Sequence, residues 1–193
     1  MYTPGPQAPQ QPQAPGLQAP MPQAMPSAPQ AQDKPKGPAK AKTTTGDVGA
    51  FIQQCIALCS YFKELETQAH LIHLNYEGAN FLGVHAFLKD QYNQHLEQFD
   101  TLAEFIRSMD YLMPMCGCGL KDTAPPMHVV TSYKGNEMLS VYYKNLEDMA
   151  NKAKKIETAA QKISAIDIAN YMADVVGQAF KAAWFIKATL RNG

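Results

Sequence analysis

The chain has 193 residues, 46% of them hydrophobic, and balances 17 basic against 17 acidic side chains, enough for one compact domain with a substantial core. No stretch stays apolar for the roughly 18 residues that would span a bilayer, which excludes a membrane-spanning class, and no basic, apolar leader opens the sequence. Its four cysteines are therefore expected as reduced thiols in a cytoplasmic protein.

The zero net charge hides an uneven distribution. Eleven of the 14 prolines fall in residues 1–38, interleaved with Gln and Ala, so residues 1–46 are predicted to be a disordered, partly polyproline-II tail. This tail carries Lys34, Lys36, Lys40 and Lys42 against Asp33 alone, a basic arm on an acidic body. Those lysines are candidates for DNA phosphates, with avidity if the arm is repeated on a symmetric shell; the same composition serves a hydrated solubilising tail or a tether to another protein.

Residues 47–193 read as four long helices. The first, from about 47 to 76, places Val48, Ile52, Cys55, Cys59, Phe62, Leu65, Ala69 and Ile72 on one face at steps of three and four. Glu77-Gly78-Ala79-Asn80 breaks it. A second helix is predicted from Asn80 to Tyr111, with Leu82, Phe87, Tyr92, Leu96, Phe99, Leu102, Ala103 and Ile106 inward. A turn this short makes the two antiparallel. Leu112–Ser132 holds Pro114, Pro125, Pro126 and Cys116-Gly117-Cys118-Gly119, a connection long enough to cross the bundle, with room for a short helix.

A third helix from about Asn136 to Gln161 and a fourth from about Ala165 to Arg191, the latter with Ile166, Val176, Phe180 and Ile186 on its inner face, complete the set. Ser164 with Asp167 three residues on resembles a capping box. The fold class is all-α, a four-helix bundle with one long crossover between its second and third long helices.

The chemistry concentrates between His73 and Glu104. Asp100 and Glu104 lie one turn apart on one helical face, but His85, fifteen residues before Asp100 at about 1.5 Å per residue, is roughly 22 Å away. His73 flanks the same turn as His85. Each chain thus offers a histidine half-site and a carboxylate half-site, and a two-fold axis running two second helices antiparallel would join them into two identical sites. Such a set suits iron well and zinc or manganese tolerably. Glu-x-x-His, the mark of the arrangement that holds two metals inside one bundle, occurs nowhere.

His73, Asn75, Gly78-Ala79-Asn80-Phe81, His85 and Asp100-Thr101-Leu102-Ala103-Glu104 follow in one register over 32 residues. This pattern resembles the Dps mini-ferritins, DNA-binding proteins from starved cells of the ferritin-like superfamily. Lys181-Ala182-Ala183-Trp184-Phe185-Ile186, with Asp167 before it, is a looser match. The resemblance covers residues 47–111 well and 135–190 loosely.

It implies a ferritin-like bundle assembling into a dodecamer built from two-fold dimers. It also implies a ferroxidase that binds Fe2+ through His73, His85, Asp100 and Glu104, oxidises it with hydrogen peroxide and stores Fe3+ as mineral. Non-specific DNA binding through the tail, and association with the nucleoid, belong to the same expectation. The competing expectation is a DNA-binding or scaffold shell with weakened ferroxidase activity.

Three positions depart from the family pattern. Leu74 replaces a Trp after the first histidine, removing an aromatic electron donor, and Lys89 replaces an acid, which disfavours a second metal. Asn170 replaces an acid of the iron-entry pore, leaving Asp167 and Asp174 as pore candidates. His70, one turn before His73, is an additional ligand or supporting candidate. His95 and His128 have no recognisable partners in the sequence. Cys55 and Cys59 are expected in the core, and Cys116 and Cys118 as exposed free thiols that could take up a soft metal or be oxidised by peroxide.

Overall fold

A computed structural model describes residues 46–191, and every structural statement concerns these. The tail, with Lys34, Lys36, Lys40 and Lys42, lies outside the described residues. Among the described residues there are five helices and no strand: α1 Gly46–Asn75, α2 Phe81–Ser108, α3 Gly117–Lys121, α4 Gly135–Lys162 and α5 Ile166–Arg191. α1 packs along α2 and α4 along α5, and α1 against α4 joins the two hairpins. The expected all-α bundle of four long helices is present, with α3 inside its long crossover.

The core is a stack of apolar side chains from the four long helices. Phe51, Leu58, Phe62 and Leu65 of α1, Leu88, Leu102 and Ile106 of α2, Leu139, Leu146 and Met149 of α4, and Met172, Val175 and Ala179 of α5 belong to one buried cluster. Burying a Leu or Phe side chain contributes about 1.5–3 kcal/mol, so this stack dominates the fold's stability.

Several expected inner positions face outward. Leu82 is 81% exposed, and Leu96, Ile166 and Phe180 are exposed as well. The buried stripe of α2 runs instead through Val84, Leu88, Gln91, His95, Gln98, Leu102 and Ile106. Steps of three and four continue through the polar residues, so a face assigned from apolar residues alone is rotated away from the core.

α2 and α4 each end on a left-handed residue. Asp110 (φ 63) and Ser164 (φ 61) adopt positive φ. Tyr111 N–H donates to Ile106 O and Asp110 N–H to Arg107 O; Ala165 N–H donates to Ala160 O and Ser164 N–H to Gln161 O. These paired bonds satisfy the last carbonyls of α2 and α4. α2 therefore ends at Ser108 rather than Tyr111, and Ser164 terminates α4 rather than opening α5 with a capping box.

The α1–α2 turn is seated by two glycines. Gly78 has φ 152, and a Cβ on Gly135 would stand 2.8 Å from Tyr76 Cε2 and 3.0 Å from Glu77 O. Only a residue without a side chain lets α4 begin this close to the turn.

The crossover is held by buried Asn145. Its Oδ1 accepts from His128 N–H at 2.9 Å, and its Nδ2 donates to His128 O at 2.8 Å and Gln68 Oε1 at 2.9 Å. The backbone at His128 is thereby paired as a strand neighbour would pair it. This gives the His128 region a partner that the sequence did not disclose, and the imidazole itself lies 3.5 Å from Asp148 Oδ2.

Candidate metal centre

The turn after α1 brings His73 and His85 into contact. Their rings stack with centroids 3.6 Å apart. His73 Nδ1 bonds His85 O at 2.8 Å, and His85 Nδ1 bonds His73 O at 3.1 Å. A carbonyl oxygen only accepts, so each Nδ1 carries the proton and each Nε2 keeps a free lone pair. His73 O is available because it belongs to the last turn of α1, where helical donors have run out. This reciprocal pair fixes both tautomers and both ring orientations, the arrangement that prepares imidazoles as metal ligands.

Aromatic rings extend the column. Phe81 lies 5.0 Å from His85, Tyr92 stands edge-on to His73 at 5.5 Å, and His70 stacks on Tyr92 at 4.4 Å. An aromatic thus stands beside the first histidine despite Leu74, supplied from α2. His70 is exposed and its ring is 6.0 Å from that of His73.

Asp100 and Glu104 are exposed and lie in the second half of α2. Among the described residues no three His, Cys, Asp or Glu side chains converge as a metal-binding group. The chain therefore brings the histidines together and keeps the carboxylates apart from them.

Lys89 is exposed, and the ion pairs among the described residues are Lys63–Glu66, His128–Asp148 and Lys134–Glu137, without it. Asp167, Asn170 and Asp174 are all exposed along one face of α5.

The histidine half-site is set in uncovered apolar surface. Leu71 and Leu74 of α1, Leu82 of α2 and Trp184 of α5 are more than half exposed. Phe81, Leu82, Phe87 and Phe185 line a groove of about 880 Å3 beside the turn.

The family model for the ferritin-like domain matches residues 64–193. The chain belongs to the ferritin-like family. Solved structures with the fold of this ferritin-like domain include the Dps protein of Bacillus brevis, 19% identical with a TM-score of 0.72, covering 77% of this chain and 99% of that one. Antigen TpF1 of Treponema pallidum is 19% identical with a TM-score of 0.71, covering 79% and 98%. The Dps protein of Vibrio cholerae, described as a member of a broad superfamily of ferritin-like diiron-carboxylate proteins, is 17% identical with a TM-score of 0.69, covering 75% and 91%. No curated protein matches the chain.

Inside the ferritin-like bundle lies a polar network that sequence reasoning missed. His95 is completely buried; its Nδ1 bonds Gln98 Oε1 at 2.9 Å and its Nε2 bonds the Tyr142 hydroxyl at 2.7 Å. Gln98 Nε2 donates onward to Gln178 Oε1 at 2.8 Å. An amide oxygen only accepts, so Nδ1 is the protonated nitrogen and the tyrosine donates to Nε2. Burial lowers the His95 pKa to about 4, outweighing the Gln98 bond and the Glu66 charge, and pushes Tyr142 well above its usual value. Both nitrogens are committed, so this imidazole is a satisfied core group rather than a ligand. Its signal was positional: Leu88, His95 and Leu102 are seven apart.

No helix among the described residues is long and apolar enough to cross a membrane.

Proposed function

We propose that this chain oxidises Fe(II) and stores the ferric product, at sites completed when two protomers pair across a two-fold axis. The observation that carries the reading is the His73–His85 pair. Two imidazoles, His73 buried and His85 half-buried, are locked with free Nε2 lone pairs beside exposed Leu74, Phe81 and Leu82, with no third ligand among the described residues of the same chain. Membership in the ferritin-like family supports iron as the metal.

On this reading His73 and His85 hold Fe(II) together with the partner subunit's Asp100 and the partner subunit's Glu104. Leu71, Leu74 and Leu82 are buried at the joint, so pairing both completes the ligand set and excludes water around it. Iron is the substrate: each peroxide molecule takes one electron from each of two Fe(II), and the ferric product passes into the cavity of a dodecameric shell. Lys89 places a cation near the half-site, so one iron position is firm and the second transient. Tyr92, edge-on to His73, serves as the aromatic electron donor in place of the missing Trp. His70 positions Tyr92 through their stack, and Asp167 and Asp174 serve iron entry.

The test is anaerobic Fe(II) loading of the full-length protein followed by peroxide, read as ferric absorbance. A wild-type signal no larger than that of a His73→Ala, Asp100→Ala variant would refute the reading. DNA binding by Lys34, Lys36, Lys40 and Lys42 is a separate proposal: a gel shift with and without residues 1–46 checks it, and equal DNA migration removes it.

A further inference from the structure

The four cysteines separate into two environments. Cys55 and Cys59 are fully buried in the core. Burial pushes the Cys55 thiol up to about 12 and Cys59 further, and an inaccessible neutral thiol is a poor nucleophile. Cys116 and Cys118 are free and exposed in the crossover, where one glycine separates them.

Their surroundings are built for reaction between the two. Gly119 N–H donates to Cys116 Sγ at 3.1 Å, which stabilises a negative sulfur. A hydrogen bond from the Cys118 thiol to the same sulfur is the larger influence and this N–H the next; together they hold the Cys116 thiol below its ordinary value while Cys118 is raised, so Cys116 is the sulfur favoured as thiolate. Gly117, the single residue between them, has open space where a Cβ would project. The segment is anchored to α1 by Ser60 Oγ, which donates to Leu120 O at 2.8 Å. A low-pKa, accessible cysteine with a second cysteine beside it is the arrangement of a thiol that reports oxidant.

We infer that Cys116 and Cys118 form a peroxide-reactive dithiol that closes to an intrachain disulfide, a site separate from the iron half-sites. Cys116 Sγ, as thiolate, attacks one oxygen of hydrogen peroxide; the O–O bond breaks and hydroxide leaves, taking a proton to become water. The resulting sulfenic acid is attacked by Cys118 Sγ. The S–S bond forms, the S–O bond breaks, and the departing hydroxide takes up the Cys118 proton as a second water. Two thiols and one peroxide thus give one disulfide and two waters. A disulfide across a single residue is strained and exposed, so a dithiol reductant reopens it.

The experiment uses the full-length, iron-free protein with a chelator present, titrated with hydrogen peroxide and followed by thiol count and intact mass. Loss of two thiols per chain with loss of two hydrogens, and a Cys116–Cys118 crosslink in the peptide map, is the expected result. Cys118→Ser should stop at a sulfenic acid on Cys116 that a dimedone-type reagent captures. Cys116→Ser should slow thiol loss by about tenfold or more. Unchanged thiol count, oxygen accumulating on wild-type Cys116 without hydrogen loss, disulfides between chains, or consumption of Cys55 and Cys59 first would each overturn the inference. Iron oxidation plays no part in these readouts, so they stand whichever way the ferroxidase test falls.

Discussion

Acid should unfold this bundle through His95 before it titrates the core in any other way. The folded-state pKa is about 4 against an ordinary 6.5, because the fully buried imidazole cannot be charged without giving up water. A depressed folded value means the unfolded chain binds the proton more tightly, so stability is intact above pH 6.5 and falls as pH drops toward 4. At about pH 4.5 the difference amounts to about 2.5 kcal/mol, and below pH 4 to about 3 kcal/mol, at 1.36 kcal/mol per pKa unit. His95→Gln keeps a neutral hydrogen-bonding group between Gln98 and Tyr142 and removes the titration. Denaturant midpoints of the two proteins, measured at equal concentration at about pH 7.5 and about pH 4.5, isolate the term, since the exposed carboxylates are common to both. Wild type should lose about 2.5 kcal/mol more than the variant. Equal losses would mean that His95 is already charged, or solvated, in the native state, and the burial reasoning would fail.

Three further outcomes follow from particular contacts. Asn145→Ala should destabilise the protein by about 2–4 kcal/mol in chemical denaturation, because the His128 backbone and Gln68 lose buried partners at once. Ser164→Gly should raise the unfolding free energy by about 0.5–1 kcal/mol in chemical denaturation, since φ 61 strains a residue with a Cβ and not a glycine. Leu82→Glu should leave helicity by circular dichroism unchanged, as the side chain is 81% exposed, while shifting elution on a sizing column from an assembly toward the 21.2 kDa chain. A wild-type protein that itself elutes near 21.2 kDa would leave each half-site incomplete and refute the paired-site reading.

Much of the fold was legible because helical amphipathicity is a local property. The inner residues of α1, from Ile52 through Cys55, Cys59, Phe62 and Leu65 to Ile72, are all buried as their spacing required. α2 was harder for a physical reason: its buried stripe includes Gln91, His95 and Gln98, whose burial is tolerated only because Tyr142 and Gln178, on other helices, complete their hydrogen bonds. Apolar counting turned the face toward Leu82 and Leu96, which are exposed. The proximity of His73 and His85 followed from the turn between them, but the reciprocal bonds through their carbonyls did not, since backbone acceptors leave no mark in the residue pattern.

The residues by themselves determined the helical class, the break at Gly78, the long crossover and the separation of Asp100 and Glu104 from the histidines, because rise per residue and turn chemistry depend on near neighbours alone. Tertiary structure decided which nitrogens of His73 and His85 remain free, that Tyr92 stands where Leu74 leaves no aromatic, and that His95 is neutral. Each of these is set by what another helix or the crossover presents at that point, and burial and hydrogen-bond partners exist only once the helices have packed.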